Sequence, residues 1–273
     1  MIAVDWGTSS FRAYRLDDAG TIVERRSSSN GILAVKDFQA TLEEQVAGWD
    51  ERPILMSGMV GSRQGWKEAP YVACPAGIEE ISAGMLEAST GVWIVPGIVS
   101  REGVPDVMRG EETQIIGSGV TDGVICLPGT HSKWVEVRAG RIVRFSTHMT
   151  GEVFAVMKEH SILGRMMEPK EEDSFLEGVE RSGDAGGLLH HLFGVRTRAL
   201  MNEGGDAASY LSGILVGHEL RAAKPQRFHV LATPELAGLY AEAAGMLGMA
   251  CIALEPDAAA RGLHELARAA NLQ

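Results

Sequence analysis

Two short turns rich in small and hydroxylated residues are the parts of the sequence best suited to phosphate chemistry. The first follows the apolar segment 2–6, whose fourth residue is Asp5. An aspartate at the end of a buried strand can hold a hydrated Mg²⁺, and the free N–H groups and hydroxyls of the turn after it can bind a phosphate. Asp5 is therefore a candidate metal ligand. The candidate phosphate ligands of this turn are Gly7, Thr8, Ser9 and Ser10.

The second turn follows another apolar segment, 123–127, and has the sequence Pro-Gly-Thr-His-Ser. Its candidate phosphate ligands are Gly129 and Thr130, and His131 and Lys133 lie beside them. Either turn alone is typical of an ordinary hairpin. Two such turns facing each other would bind a polyphosphate from both sides. The acidic segment just before the second turn favours this functional interpretation.

The elements that must position these turns follow an order that occurs twice. The first half has predicted strands at 2–6, 11–16 and 21–27, a helix at 37–49, a strand at 53–57, a glycine-rich loop at 57–66, a strand at 91–97 and a helix at 110–119. The second half has predicted strands at 123–127, 133–138 and 141–147, helices at 151–160, 172–182 and 208–222, a strand at 228–232 and helices at 235–247 and 257–269. Strands that alternate with helices after an opening meander predict an α/β fold with a mixed sheet.

Composition and missing motifs exclude several classes of protein. The chain has 273 residues and a net charge of −11, which argues against nucleic-acid binding through a basic surface. Three separated cysteines without a C-x-x-C pair exclude a disulfide framework and a cysteine zinc site, and they indicate a reducing compartment. The sequence has no P-loop, G-x-G-x-x-G, H-E-x-x-H or G-x-S-x-G motif. Without a visible signal peptide or an apolar run long enough to span a bilayer, we expect a cytoplasmic protein.

The opening DWGTSSFRAY resembles the first phosphate motif of the actin/hexokinase/Hsp70 superfamily of ATP-binding folds. Five further segments, in the same order, resemble the 2-dehydro-3-deoxygalactonokinase family: MSGMVGSRQGWKEAPYVACPA (56–76), WIVPGI (93–98), VMRGEETQIIG (107–117), LPGTHSKWVEV (127–137) and MTGEVF (149–154). The resemblance implies a two-lobed actin-like ATPase fold, related to ribonuclease H, with a nucleotide cleft between the lobes. It also implies that ATP and Mg²⁺ are used to phosphorylate the terminal (C6) hydroxyl of 2-dehydro-3-deoxy-D-galactonate in galactonate catabolism.

The resemblance also suggests a division of labour along the chain. Residues 1–109 are expected to form an N-terminal lobe with the first phosphate turn and the sugar-acid site, and residues 110–273 a C-terminal lobe with the second phosphate turn and the adenosine site. Sugar kinases of this superfamily have a carboxylate at the start of the helix before the second turn, where it accepts the proton of the substrate hydroxyl. Glu111 is the candidate base and Glu112 is the alternative, because related kinases usually have Asp there. Both glutamates could instead only complement the helix dipole.

The sugar acid carries a carboxylate, so its site requires a cation or N–H donors. Several cations flank the glycine-rich turns, and a tryptophan there offers a flat apolar wall. The candidate substrate-binding residues are Arg12, Gly61, Arg63, Trp66, Lys67 and Arg109. The adenosine segment of the superfamily is usually a strand followed by a glycine-rich turn. The equivalent candidates here, which include no glycine, are Ala232, Thr233 and Pro234.

Two other interpretations of the sequence stay open. The chain could be another sugar or small-acid kinase of the same fold, or a non-catalytic nucleotide-binding regulator. The presence of both Asp5 and Glu111 favours catalysis. The expected partners are a small sugar acid and ATP, with no nucleic acid and no membrane. The apolar segment 208–217 could serve as the interface of a homo-oligomer.

Overall fold

The computed structural model describes residues 1–255 and 257–272, in which strands and helices alternate. The strands are β1 (Ile2–Trp6), β2 (Phe11–Leu16), β3 (Ile22–Ser28), β4 (Ile54–Ser57), β5 (Tyr71–Ala73), β6 (Leu86–Ser89), β7 (Val92–Ile94), β8 (Gly97–Ser100), β9 (Asp106–Met108), β10 (Gly123–Leu127), β11 (Ser132–Arg138), β12 (Arg141–His148), β13 (Arg227–Val230) and β14 (Ala250–Ala253). The helices are α1 (Phe38–Gln45), α2 (Ile78–Ala83), α3 (Glu111–Ser118), α4 (Thr150–His160), α5 (Phe175–Arg181), α6 (Gly187–Met201), α7 (Ala207–Ala223), α8 (Pro234–Met246) and α9 (Ala258–Ala269). In this part of the chain, no helix has the length and apolar character needed to cross a membrane.

A six-stranded mixed sheet places the first candidate turn and Asp5. Its strand order is β3-β2-β1-β4-β7-β6, with β1 antiparallel to β2 and parallel to β4. The apolar side chains of β1 are buried, as expected for a central strand covered on both faces. Asp5 pairs in register with Ser57, the last residue of β4. The carboxyl ends of β1 and β4 therefore lie side by side.

The described chain divides into two compact units. The first consists of residues 1–122 and 135–145 and the chain from Glu255 onward, and the second of residues 123–134 and 146–254. The expected boundary between residues 109 and 110 falls inside the first unit. The reason is packing, because α3 follows that boundary and lies against α9, which returns to the first unit from the end of the chain.

A three-stranded sheet in the first unit leads the chain to α3. Its order is β5-β8-β9, with β5 parallel to β8 and β8 antiparallel to β9. β9 ends at Met108, and α3 begins three residues later at Glu111. Gly110, between them, has a φ of +112°, a conformation that glycine adopts with little strain. This turn fixes where the two adjacent glutamates begin the helix.

The second unit is built around buried helices. α5, α7 and α8 pack together, and their apolar side chains form a core with β13. Within this unit, β13 pairs in parallel with both β10 and β14. Segment 208–217 lies in α7 and has no exposed residue, so the expectation that it offers an interface is wrong.

The α3–α9 contact depends on two glycines and generates a stability prediction. A methyl group on Gly262 of α9 would overlap the carbonyl oxygen of Thr113, and one on Gly117 of α3 would overlap that of Ala258. We expect Gly262→Ala to lower the free energy of unfolding by about 1–3 kcal/mol through overpacking. As a control, Gly238→Ala in α8 meets no atom within 4 Å and should stabilise by about 0.5–1 kcal/mol. Denaturant unfolding measures both, and equal effects would contradict the close packing.

Candidate active site

Two glycines allow the carboxyl ends of β1 and β4 to meet the start of α3. Gly58 follows β4 with a φ of +92°, and a Cβ on it would lie 2.8 Å from the carbonyl oxygen of Trp6 and 3.4 Å from Oδ1 of Asp5. A Cβ on Gly110 would lie 3.2 Å from the Cα of Gly58. The hydroxyl of Thr113 donates to the carbonyl oxygen of Gly110 at 2.7 Å. The junction thus brings Asp5 close to the start of α3.

The pKa of Asp5 is affected by a second carboxylate nearby. Burial raises the pKa of Asp5, the Arg12 guanidinium lowers it, and the negative charge of Glu111 raises it further. Arg12 Nη1 lies 3.4 Å from Oδ2 of Asp5. A carboxylate whose ionisation is opposed by a neighbouring negative charge is suited to bind a divalent cation, which would neutralise that charge.

The residues at this junction fit Mg²⁺ better than a metal ion that needs all of its ligands from protein side chains. In the described ranges, no group of three or more His, Cys, Asp or Glu side chains could hold a metal ion. Mg²⁺ in kinase sites usually takes one or two protein carboxylates and completes its coordination with waters and substrate phosphates. Asp5, with its side chain 17% exposed, is suited to be such a ligand.

Glu111 and Glu112 are adjacent but have different surroundings. Glu111 is half-buried, and its Oε2 accepts a hydrogen bond from the backbone N–H of Arg109 at 3.0 Å. Glu112 is fully buried, and both of its oxygens lie within hydrogen-bond distance of the Gly110 N–H, at 2.9 and 2.7 Å. Burial and the charge of Glu111 raise the pKa of Glu112 to about 8. At neutral pH Glu112 is therefore mostly protonated and poorly suited to accept a proton.

The first candidate phosphate turn is held by its carbonyl groups. The N–H of Ile32 donates to the carbonyl of Gly7 at 3.1 Å, and the N–H of Leu33 donates to that of Thr8 at 3.4 Å. The Gly7 N–H donates to the carbonyl of Ser10 at 2.9 Å. The turn is thereby fixed from one side, while Thr8 and Ser9 are exposed. The Gly7 N–H is thus used within the turn, and the two exposed residues are the ones most open to a phosphate.

The structure separates the six candidate substrate-binding residues. Arg12 pairs with Asp5, while Arg63 is largely exposed and lies 3.7 Å from Glu68. Lys67 is exposed. Three of the six are thus surface cations.

The other three candidates lie deeper in the first unit. Trp66 packs against the core beneath the six-stranded sheet and lines a cavity with residues of α1. Gly61 is buried, and a Cβ on it would lie 3.0 Å from Nη1 of Arg109. Arg109 is itself buried. The structure therefore brings Gly61 and Arg109 together, whereas Trp66 packs against the core and lines a cavity with α1.

The second candidate turn is held by the start of α4. The N–H of Glu152 donates to the carbonyl of Thr130 at 2.9 Å, and a side chain on Gly151 would overlap the carbonyl of Gly129. His131 contacts the Glu152 carboxylate through Nε2. Gly129, Thr130 and His131 are exposed, whereas Lys133 is buried. As in the first turn, carbonyl groups are used internally and the tip of the turn is open.

A buried carboxylate behind this turn was not found from the sequence. Oε1 of Glu219 in α7 accepts from the Trp134 indole N–H at 2.8 Å, and Oε2 accepts from the Tyr240 hydroxyl at 2.9 Å and from the Thr150 hydroxyl. The Tyr240 hydroxyl is 3.3 Å from Oγ of Ser132, so the network reaches the strand after the turn. Thr150 is the first residue of α4, and Met149 is its N-cap. The sequence signal that could have identified it is the single glutamate in the apolar segment 210–220.

The candidate adenosine segment lies between β13 and α8. Thr233 is the N-cap of α8, and its side chain accepts from the Leu236 N–H at 3.5 Å, while Pro234 occupies the first helical position. Proline is favoured there because that position needs no backbone donor. Thr233 and Pro234 are exposed, and Ala232 is half-buried.

Comparison with known proteins gives a consistent result. The family model for 2-keto-3-deoxy-galactonokinase matches residues 5–266. A curated relative from Escherichia coli (strain K12), named 2-dehydro-3-deoxygalactonokinase, is 34% identical, with 98% of this chain and 97% of that protein covered. A relative from Rhizobium meliloti (strain 1021), named as a probable enzyme of the same activity, is 36% identical, with 98% and 96% covered.

Solved structures extend the comparison to the fold. A Sinorhizobium meliloti structure assigned to the same kinase activity superposes with a TM-score of 0.91 at 34% identity, with 98% of each chain covered. The activator of 2-hydroxyisocaproyl-CoA dehydratase from Clostridium difficile, solved with ADPNP, matches with a TM-score of 0.56 at 13% identity, with 99% and 96% covered. The second likeness concerns the fold alone. Together these matches confirm the predicted actin-like ATPase fold.

The buried Glu112 generates a prediction about stability and pH. The pKa of Glu112 is about 4.5 in the unfolded chain and about 8 in the folded protein, so ionisation of this group favours the unfolded chain. The contribution of Glu112 to the free energy of unfolding is therefore complete below pH 4.5 and is lost as the pH rises to 8. Glu112→Gln mimics the neutral form. Its Tm relative to the unmodified protein should therefore be higher at pH 8.5 than at pH 5.

Thermal unfolding at the two pH values measures this difference. Glu79→Gln, an exposed acid in the first turn of α2, is the matched control and should shift Tm equally at both pH values. An identical Tm difference at pH 5 and pH 8.5 for Glu112→Gln would contradict a neutral Glu112.

Proposed function

Because this chain belongs to the 2-keto-3-deoxy-galactonokinase family, we propose that it transfers the γ-phosphoryl group of ATP to the terminal C6 hydroxyl of 2-dehydro-3-deoxy-D-galactonate. The products are ADP and 2-dehydro-3-deoxy-6-phospho-D-galactonate. Kinase activity and nucleotide use follow from the family. The choice of ATP, the need for Mg²⁺, the acceptor hydroxyl and the residue roles are the proposal.

One observation carries the proposal: Asp5 and Glu111 are brought close to each other by Gly58 and Gly110. Phosphoryl transfer needs a metal ligand near the phosphates and a carboxylate near the attacking hydroxyl. A protein that only binds nucleotide needs no proton acceptor at this place. The pair therefore supports an enzyme over a non-catalytic regulator.

The proposed roles follow from the surroundings of each carboxylate. Glu111 accepts the proton as the C6 oxygen forms its bond to the γ-phosphorus and the bond to the β-phosphate oxygen breaks. It is the better base because it is half-exposed, whereas Glu112 is fully buried and its pKa is raised to about 8. Asp5 would hold Mg²⁺, which, when bound, neutralises charge on the phosphate oxygens. The hydrogen bond from the Arg109 backbone N–H orients Glu111.

The two turns have separate supporting observations. In the first unit, Gly7, Thr8, Ser9 and Ser10 would bind phosphate, since internal hydrogen bonds fix the turn through its carbonyl groups. In the second unit, Gly129 and Thr130 have the same proposed role, with the Glu219 network holding the flanking strand and α4. Ala232, Thr233 and Pro234 are the proposed adenosine contacts. The sugar-acid site is assigned to the first unit.

Substrate choice tests the proposed function and separates it from that of another sugar kinase of this fold. The acid presents a carboxylate at one end and the reacting hydroxyl at the other. An enzyme that binds both ends should reject galactose, because loss of the carboxylate leaves polar groups of the site unpaired, an effect that can reach about 10⁴–10⁵-fold. The C4 epimer of the acid changes one hydroxyl contact, worth about 0.5–1.5 kcal/mol.

The measurement is kcat/KM for 2-dehydro-3-deoxy-galactonate, its C4 epimer and galactose at saturating ATP and Mg²⁺. We expect the galactonate derivative to be best, the epimer poorer and galactose essentially inert. If galactose reacted best, the sugar-acid assignment would be wrong, although the fold would stand.

A further inference from the structure

Arg109 is a buried cation whose hydrogen-bonding capacity is mostly unused. Its side chain is only 9% exposed, and its Nη2 donates to the carbonyl oxygen of Ala69 at 2.9 Å. The guanidinium carbon lies 4.3 Å above the centre of the Tyr71 ring. Nε and Nη1 have no hydrogen-bond partner in the part of the chain that the structure describes. A guanidinium has five N–H donors, so most of them remain available.

The carboxyl group of Glu112, which interacts with Arg109, supplies little counter-charge. The positive charge of Arg109 lowers the pKa of Glu112, so the two groups interact, but burial is the larger effect and keeps Glu112 mostly protonated at neutral pH. A buried cation with unpaired donors is costly and is usually found with an anionic partner. The surroundings nevertheless hold it in place, through the Ala69 carbonyl, the Tyr71 ring and the close approach of Gly61.

The other candidate cations of the first unit are less suited to bind an anion in an enclosed site. Arg12 lies against Asp5, and Arg63 is 87% exposed and lies near Glu68. Lys67 is exposed to solvent. A contact made by an exposed cation in water adds little binding free energy, whereas a buried guanidinium can form two parallel hydrogen bonds to a carboxylate.

We propose that the Arg109 guanidinium binds the carboxylate of the sugar-acid substrate, an inference that rests on the proposed function. Arg109 is two residues before Glu111 and its backbone N–H holds that side chain, so one short segment would bind one end of the substrate and orient the base for the other. Nε and Nη1 are enclosed in this structure. Binding of the carboxylate to these atoms therefore requires neighbouring side chains to move, while the Tyr71 ring can stay stacked on the face of the guanidinium.

The test compares the sugar acid with its neutral primary amide. We expect the unmodified protein to prefer the acid in kcat/KM by about 10²-fold or more, because the amide leaves a buried charge unpaired. Arg109→Gln should lower kcat/KM for the acid by a similar factor, mainly through KM, and change the value for the amide only a few-fold. The acid preference should therefore largely disappear. Arg101→Gln, an exposed cation after β8, is the matched control and should keep the preference.

A second variant and a binding measurement cover the case in which Arg109→Gln does not fold. Arg109→Lys keeps the charge but loses the planar pair of donors, so the Kd of the acid, measured calorimetrically without nucleotide, should rise at least several-fold. An unchanged acid preference in folded Arg109→Gln, or an unchanged Kd in Arg109→Lys, would overturn the proposal. If the unmodified protein phosphorylates neither compound, the proposed function fails first, and the Kd values still decide whether Arg109 binds the carboxylate.

Discussion

The close contact between Gly58 and Gly110 is the constraint on which the candidate active site depends. Gly58 ends the central pair of strands that carries Asp5, and Gly110 begins the helix that carries Glu111. A Cβ on Gly110 would lie 3.2 Å from the Cα of Gly58, and one on Gly58 would lie 2.8 Å from the carbonyl oxygen of Trp6. The surrounding elements maintain this contact from three directions. The six-stranded sheet holds β4, the β5-β8-β9 sheet delivers the chain to Gly110, and α9 packs on α3.

Bringing carboxylates together in a partly buried place has an electrostatic cost, and each of the three carboxyl groups is compensated in a different way. Glu112 avoids charge by remaining protonated and accepting the Gly110 N–H. Asp5 is partly compensated by Arg12, and Glu111 is held by a backbone N–H. Neighbouring acids with different surroundings can thus take different roles, one structural and one chemical. The negative charge of Asp5 would bind Mg²⁺, and that of Glu111 would accept the proton of the substrate hydroxyl.

The sequence predicted the parts of this arrangement that are local. The strand before Asp5, the strand before Pro128 and the helix that begins at Glu111 follow from hydrophobic runs, turn residues and acids at a helix start. The family resemblance supplied the fold and the kinase activity. Short strands such as β5 and β9, of three residues each, show no usable alternation and were missed. Helix α6 was missed because its apolar residues do not form a single face, and Leu189 and Phe193 are exposed.

The parts that could not be predicted depend on contacts between distant residues. Nothing in the local sequence shows that Gly58 meets Gly110, or that Glu219 accepts hydrogen bonds from Trp134 and Tyr240. The sequence favoured Glu111 as the base but left Glu112 open as the alternative, since both begin the same helix. Their difference in burial arises only when α3 packs, and it favours Glu111 as the base.

The most direct test of Glu111 as the base is the kcat of Glu111→Gln and Glu112→Gln on the sugar acid, with folding checked for both. Glu111→Gln should lower kcat by about 10²–10⁴-fold with little change in KM. A near-normal kcat in Glu111→Gln, with a large loss in Glu112→Gln, would contradict the assignment of Glu111 as the base.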